Sequence, residues 1–462
     1  MKIVVCIRRG LDGEINPFDA CAYEAALRVS GAEVTLLSMG PLGTKDFLLS
    51  LTRLGAKEAI LLSDSAFAGA DTLATAYALS LAIKKINPDL VFCGRQTLVG
   101  DTAQTGAMLS VYLDFSLATS VMSIDSVSEA CLACTTREEG EVKVNLPALL
   151  TVERINTLRL PSIMSKVGRV EVWSAADVGA DVSRCGLQGS PTRVVQTFEN
   201  TSGRRKCSFV EPSQLKSIVS EALSKQNAAA RAKSASDKKL NKVFSVGVEP
   251  LEYAESVCDK VRLIERGGEA ELAELIKKES PDAVIWASDG WSKRTSARVA
   301  ALLNLGLCAD CTALETDGET LYMVRPALAG SVIAKVKSLT KPAMATVRTT
   351  SKDTADVIVA AGFGAKDNID KVKTLAKSLS GELASSRKLV DNGILPYSMQ
   401  VGLTGKTVCP AVYLAVGVSG AVHHIVGMQQ AGVVIAINPD KDAPIFDYAD
   451  YGVLSKIEDI EL

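Results

Sequence analysis

Histidine is almost missing from this chain, and so is any excess of charge of one sign. Its 462 residues include two histidines and three tryptophans, and 51 basic side chains nearly cancel 53 acidic ones. The two histidines, His423 and His424, are adjacent, so an ordinary three-histidine metal site has no donors here. A net charge of −2 leaves no basic footprint for nucleic acid or an anionic membrane surface, and neither is an expected partner. No stretch approaches the roughly 20 apolar residues that span a bilayer. The apolar start Met1 to Ile7 turns charged at Arg8 and Arg9; it is too short for the core of a signal peptide and reads as a buried strand. The 11 cysteines are scattered and odd in number, as expected of reduced thiols, which points to the cytoplasm.

What is present is alternation. Short runs rich in Val, Ile and Leu, at Ile3 to Ile7, Glu33 to Ser38, Ala59 to Leu62 and Leu90 to Cys93, alternate with longer amphipathic stretches such as Ala20 to Val29 and Thr72 to Lys84. That pattern predicts an α/β fold of parallel sheets with crossover helices. The length implies two to four domains. From about Ser123 to Val152 polar and apolar residues alternate, which predicts antiparallel strands added to the first sheet. Pro212 to Leu223 has apolar residues at Leu215, Ile218, Val219 and Leu223, the spacing of a helix with one buried face. The polar stretch Asn227 to Lys239 that follows reads as a linker. A second α/β unit starts at Val243 and is too short for a full doubly wound domain. A third holds apolar runs at Val357 to Ala361, Tyr413 to Val416 and Val433 to Ile437.

In open parallel sheets, ligands gather where strands end and helices begin. Two glycine-rich turns meet this condition: Gly94 to Gly106, after the strand ending at Cys93, and Gly417-Val418-Ser419-Gly420, ahead of the helix carrying His423 and His424. Each taken alone is equally well an ordinary turn. Gly405-Lys406-Thr407 is no P-loop, because Gln400 stands where the first glycine belongs. Cys131 with Cys134, and Cys308 with Cys311, have zinc-knuckle spacing in strand-like context and read as buried thiols. At helical spacing the two histidine side chains diverge by about 100°, so only one faces a ligand.

Four ordered blocks, Arg387 to Gly393, Gln400 to Thr407, Gly417 to His424 and Ala436 to Phe446, resemble the FAD domain of the electron transfer flavoprotein alpha subunit. The first half resembles the beta subunit at Asn16-Pro17-Phe18-Asp19 with Glu24, Met39-Gly40-Pro41, Gly69 to Thr75, and Cys93 to Gly106. Its wording, including Gly189-Ser190-Pro191-Thr192, is nearest to beta subunits that serve clostridial acyl-CoA dehydrogenases. The resemblance implies fused beta and alpha subunits with two or three Rossmann-like domains, adenine nucleotide alpha hydrolase-like and FAD-binding DHS-like. Its boundaries are 1–207 for the beta-like domain, 208–242 for a helical arm and linker, 243–347 for a shortened alpha N-terminal domain and 348–462 for the FAD-binding domain.

Carried over position by position, the resemblance implies that Arg387 lies over the isoalloxazine, Thr404 bonds near N5 and His424 reaches the O2 side, where they would stabilise an added electron. It implies that Ser386, Gln400, Val401, Gly402, Gly405, Ser419, Gly420 and Asn438 hold the rest of FAD. In the beta half, Asp101, Thr102, Gln104 and Thr105 match a loop binding the phosphate of a second nucleotide, AMP or a second FAD. Leu160 matches a leucine that anchors to a partner dehydrogenase, against the plain reading of a core leucine. The segment Ile7 to Ile15 is shorter than its family counterpart, which puts the second nucleotide site in question. The function implied is a carrier of electrons between an acyl-CoA dehydrogenase-like flavoprotein and another redox protein. Two alternatives stand beside it: an electron-bifurcating NADH oxidoreductase with two FAD, and a non-redox adenosine-nucleotide module.

Overall fold

The computed structural model describes residues 1–10, 13–97, 100, 102–154, 156–199, 204–226, 238–328, 332–348, 355–402 and 405–460. Most of the linker, Asn227 to Lys239, therefore lies outside the described residues, as do Asp101 and Thr404. The chain divides into two compact units, one of residues 1–197, 235–328 and 334–347, the other of residues 198–234, 329–333 and 348–462.

The first unit is built on two sheets, the larger mainly and the smaller wholly parallel. The larger has nine strands, in spatial order Gly140–Asn145, Cys131–Thr136, Ser116–Val127, Ala148–Val152, Leu90–Gly94, Lys2–Cys6, Glu33–Met39, Glu58–Leu62 and Arg169–Trp173. Its apolar runs are buried on both faces, as a parallel sheet covered by helices requires. Tyr23, Leu48 and Leu51 pack beneath Ile3, Val5, Leu36 and Leu61, while Leu73, Met108 and Leu109 cover Val4, Leu37 and Val91 on the other side. The helix Thr72–Ile86 starts where the Asp71 carboxylate accepts the Ala74 N–H at 3.1 Å and stops at Asn87 in the left-handed region.

The stretch expected to be wholly antiparallel is antiparallel over Ser116–Val127, Cys131–Thr136 and Gly140–Asn145. Ala148–Val152 corrects the expectation, because it runs parallel between Leu90–Gly94 and Ser116–Val127. All five of its side chains are buried, the pattern of an interior parallel strand, so its preceding proline marks a strand start and no edge.

The second sheet of this unit also outgrows the sequence reading. It has five parallel strands, ordered Val261–Ile264, Val243–Val246, Ala283–Ala287, Ala343–Val347 and Leu307–Cys311. The segment looked too short because the βα alternation breaks after Cys311. The chain then makes the strands Ala313–Thr316, Leu321–Ala327 and Val332–Ser338, which with Thr192–Glu199 form a separate four-stranded sheet, and returns to insert Ala343–Val347.

The second unit holds a six-stranded parallel sheet ordered Ser208–Phe209, Tyr451–Val453, Val433–Ile437, Val412–Val416, Val357–Ala361 and Glu382–Ser385. The helix Leu215–Gln226 packs Leu215, Val219 and Ala222 against this sheet, beside Val357, Leu414 and Ile435. Its apolar stripe is thus covered within its own unit. No helix among the described residues is long and apolar enough to cross a membrane.

Candidate functional site

In the second unit the strand ends Ser385, Ala361, Val416 and Ile437 lie in register across four neighbouring strands, and the sequence-predicted residues follow three of them, Ser385, Val416 and Ile437. Glycine lets these segments touch. Gly402 has φ +140°, and a Cβ there would stand 2.6 Å from the His423 carbonyl; Gly420 has φ +93°, and its Cβ would meet the Ile445 nitrogen at 2.2 Å. Neither position accepts a side chain without backbone displacement. Val401 is tied down, its N–H donating to the Ser385 carbonyl at 2.9 Å. Gly405 N–H bonds to the Gly402 carbonyl at 3.1 Å.

Around this glycine frame stand polar side chains. Ser386 is partly buried, and its Oγ has no hydrogen-bond partner. His424 is buried; its Nε2 meets the Tyr413 hydroxyl at 2.9 Å, its Nδ1 has no hydrogen-bond partner, and the Val401 carbonyl lies by the ring. Burial pulls the imidazole down to about 4, offset in part by that carbonyl, so the ring is neutral near pH 7. Asn438 donates to the Val418 carbonyl at 3.0 Å, and its side-chain oxygen accepts the Asp440 N–H at 3.0 Å, which fixes the turn after Ile437. Ser419 is exposed, and its carbonyl holds Ile445 N–H at 3.1 Å. Arg387 lies against Asp391 at 3.3 Å, and Gln400 is buried in the same segment as Val401. Of the two histidines, His424 points inward and His423 is only partly buried. Buried Ser386 Oγ and His424 Nδ1 without protein partners fit a polar ligand rather than a closed core. Such atoms suit a flavin ring and its ribityl chain, which offer both donors and acceptors.

Tyr413 escaped the sequence reading. It stands in the otherwise apolar strand Val412–Val416 with its hydroxyl fully buried, and a buried phenol in such a run signals a hidden polar partner.

The first unit contains a cavity of about 340 Å³ at the ends of Lys2–Cys6, Glu33–Met39 and Leu90–Gly94. Thr102, Gln104 and Thr105 line it, as does Arg325 from the four-stranded sheet. Gln104 is fully buried and neither its side-chain nitrogen nor its oxygen has a partner. Arg325 donates to the Gly100 carbonyl at 3.0 Å and to the Pro326 carbonyl at 3.1 Å, placing a cation beside the loop. Arg325 was also missed; it shares a strand face with buried Leu321 and Met323, and an inward arginine in a strand pattern is the signal that marks it. Asp19 ties the cavity wall together by accepting the backbone N–H of Arg8 at 2.8 Å and of Gly94 at 3.2 Å, and burial pushes its carboxyl up to about 7. Cys6 and Cys93 face each other across neighbouring strands there, and the contact with Cys6 together with burial keeps Cys93 a thiol.

Leu160 is no core residue. It is 89% exposed, next to Ile163 at 97% and Met164 at 87%. Glu24 fastens the base of this loop. Its carboxylate accepts the Arg159 backbone N–H at 3.1 Å, Arg159 Nε at 2.9 Å and Nη2 at 3.0 Å, and Arg28 Nε at 2.9 Å. Burial alone would raise the carboxyl, yet these bonds bring it down to about 2.

Parallel sheets with glycine-crossed strand ends and open polar atoms define a nucleotide-binding α/β protein. The sequence comparisons narrow the class: the electron transfer flavoprotein domain matches residues 3–178 and again 224–374, and the electron transfer flavoprotein FAD-binding domain matches residues 352–429. The chain belongs to the electron transfer flavoprotein family. It is 42% identical over 202 residues to the electron transfer flavoprotein subunit beta of Thermoanaerobacterium thermosaccharolyticum, covering 41% of this chain and 78% of that one. It is 33% identical over 232 residues to the alpha subunit of the same organism, covering 40% and 70%. Protein FixA of Azorhizobium caulinodans is 41% identical over 227 residues, covering 45% of this chain and 81% of its own. Similarity to both subunits is that of a fused beta and alpha chain.

Proposed function

We propose that this chain is a single-chain electron carrier whose FAD, held in the second unit, takes electrons from an acyl-CoA dehydrogenase-like flavoprotein and passes them to another redox protein in the cytoplasm. The observation that carries this reading is the pair of buried polar atoms without protein partners, Ser386 Oγ and His424 Nδ1, at the glycine-crossed strand ends. FAD supplies one-electron chemistry when bound. The residues proposed to hold it are Ser386, Arg387, Gln400, Val401, Gly402, Thr404, Gly405, Ser419, Gly420, His424 and Asn438. Here Arg387 contributes a full charge and His424 a neutral dipole. Residues 1–207 act as the beta-like part, 208–242 as arm and linker, 243–347 as the alpha N-terminal part and 348–462 as the FAD-binding part. The exposed apolar triad at Leu160 is the docking patch for the dehydrogenase. Purified protein is expected to be yellow and to release one FAD per chain on denaturation; colourless protein that takes up no added FAD would overturn the reading.

A second reading, the bifurcating NADH oxidoreductase, is favoured by the separate cavity with its unsatisfied Gln104 amide. Asp101, Thr102, Gln104 and Thr105 would hold AMP in a plain carrier and a second FAD in a bifurcating one. Two flavins per chain and rapid reduction by NADH select the second reading; one flavin plus AMP, with slow reduction, selects the first.

A further inference from the structure

The Tyr413 hydroxyl and His424 Nε2 lie 2.9 Å apart, Tyr413 fully buried and His424 6% exposed. Either atom could donate, and the surroundings decide which. If Nε2 carried the ring proton, the phenol proton would be a buried donor with nowhere to go, which is costly in a water-free interior. If the phenol donates, its proton is satisfied and the ring proton sits on Nδ1, the ring nitrogen that has no protein partner. The tyrosine cannot yield by ionising, since burial holds its hydroxyl well above the usual phenol range. The imidazole cannot yield by taking a second proton near pH 7, because burial keeps it neutral. Gly402 packs against the histidine's backbone: an ideal Cβ there would lie 3.4 Å from His424 Cα.

We propose that Tyr413 is a positioning residue that locks His424 as the neutral imidazole with its proton on Nδ1, so that this N–H is the donor the ring presents to the flavin. The proposal rests on the reading of this place as a FAD site. It assigns Tyr413 no contact with FAD and no proton transfer; its work is to choose which ring nitrogen is the donor.

Because the chain has only two histidines, ¹⁵N-resolved NMR of the imidazole rings in the full-length protein tests this directly, with His423→Gln assigning the signals. In the FAD-free chain His424 is expected to show a protonated Nδ1 and a bare Nε2, and Tyr413→Phe is expected to convert a large part of the population to the other tautomer. A wild-type Nε2–H signature, or a Tyr413→Phe ring identical to wild type, overturns the assignment, and the first of these needs no variant to fold. Adding FAD then separates the two claims. A shift of the Nδ1–H resonance supports donation to the flavin, whereas the expected tautomer with a ring indifferent to saturating FAD overturns the flavin reading and the donor role with it. In the loaded protein Tyr413→Phe is expected to disfavour the first electron on FAD by about tenfold, the size of one lost hydrogen bond to a charged group; an unchanged potential overturns the donor role.

Discussion

Replacing Glu24 with glutamine removes one charge from a carboxylate that accepts four hydrogen bonds. Glu24 has a folded pKa of about 2 against an ordinary value of 4.5. At about 1.4 kcal/mol per unit this corresponds to roughly 3 kcal/mol of stabilisation near neutral pH. Arg159 is 42% exposed, so solvent screening trims the expectation to about 2 kcal/mol. The sign follows from the depressed pKa: the contribution is complete above about pH 4.5 and drains away as pH falls toward 2. The local reporter is the Arg159 amide, which donates to this carboxylate at 3.1 Å. E24Q is expected to speed its hydrogen exchange by about 30-fold at pH 7, with trypsin cutting sooner after Arg159 and Lys166. The stability difference between the two proteins should narrow when denaturation is repeated at pH 3. Equal amide protection at pH 7, or a stability gap that widens in acid, would refute the reasoning that the charge holds the loop.

Three further outcomes are expected. Gln104→Leu replaces a buried amide that has no partner, so it should stabilise the empty first unit by about 1 kcal/mol while weakening AMP binding at least tenfold; calorimetry checks both, and unchanged AMP affinity would remove Gln104 from the site. Gly420→Ala puts a Cβ about 2.2 Å from the Ile445 nitrogen at a φ of +93°; it should abolish FAD retention on gel filtration. Leu160→Ser with Ile163→Ser and Met164→Ser should leave FAD content unchanged and the melting curve within about 0.5 kcal/mol of wild type, as fits exposed positions, yet raise the KM for a dehydrogenase partner several-fold. An unchanged KM would move the docking patch elsewhere.

Much of the second unit's frame was legible in sequence because its candidate residues lie in short contiguous blocks. Gly402 and Gly420 each stand where backbone segments meet, and the glycines of their blocks are enough to announce such close approaches. Partners distant in sequence were not legible. Nothing near Glu24 announces Arg159, and nothing near Tyr413 identifies His424, since a pairwise bond leaves no periodic trace. Arg325 reaches the first cavity from a strand that the βα alternation hides, and the parallel course of Ala148–Val152 became visible only with its neighbours. Leu160 could be flagged as a candidate anchor but not placed inside or outside, because a single leucine carries no burial signal of its own.

The short strand Ser208–Phe209 pairs with Tyr451–Val453, and the helix just after it lies on the same sheet. During synthesis that strand and helix leave the ribosome more than two hundred residues before the strand they join, with the second sheet of the first unit made in between. The FAD-binding unit therefore completes itself only after Tyr451–Val453 has been made. A gene cut after the linker into separate halves would hand its edge strand and one covering helix to the wrong polypeptide, leaving each fragment to recover them by association.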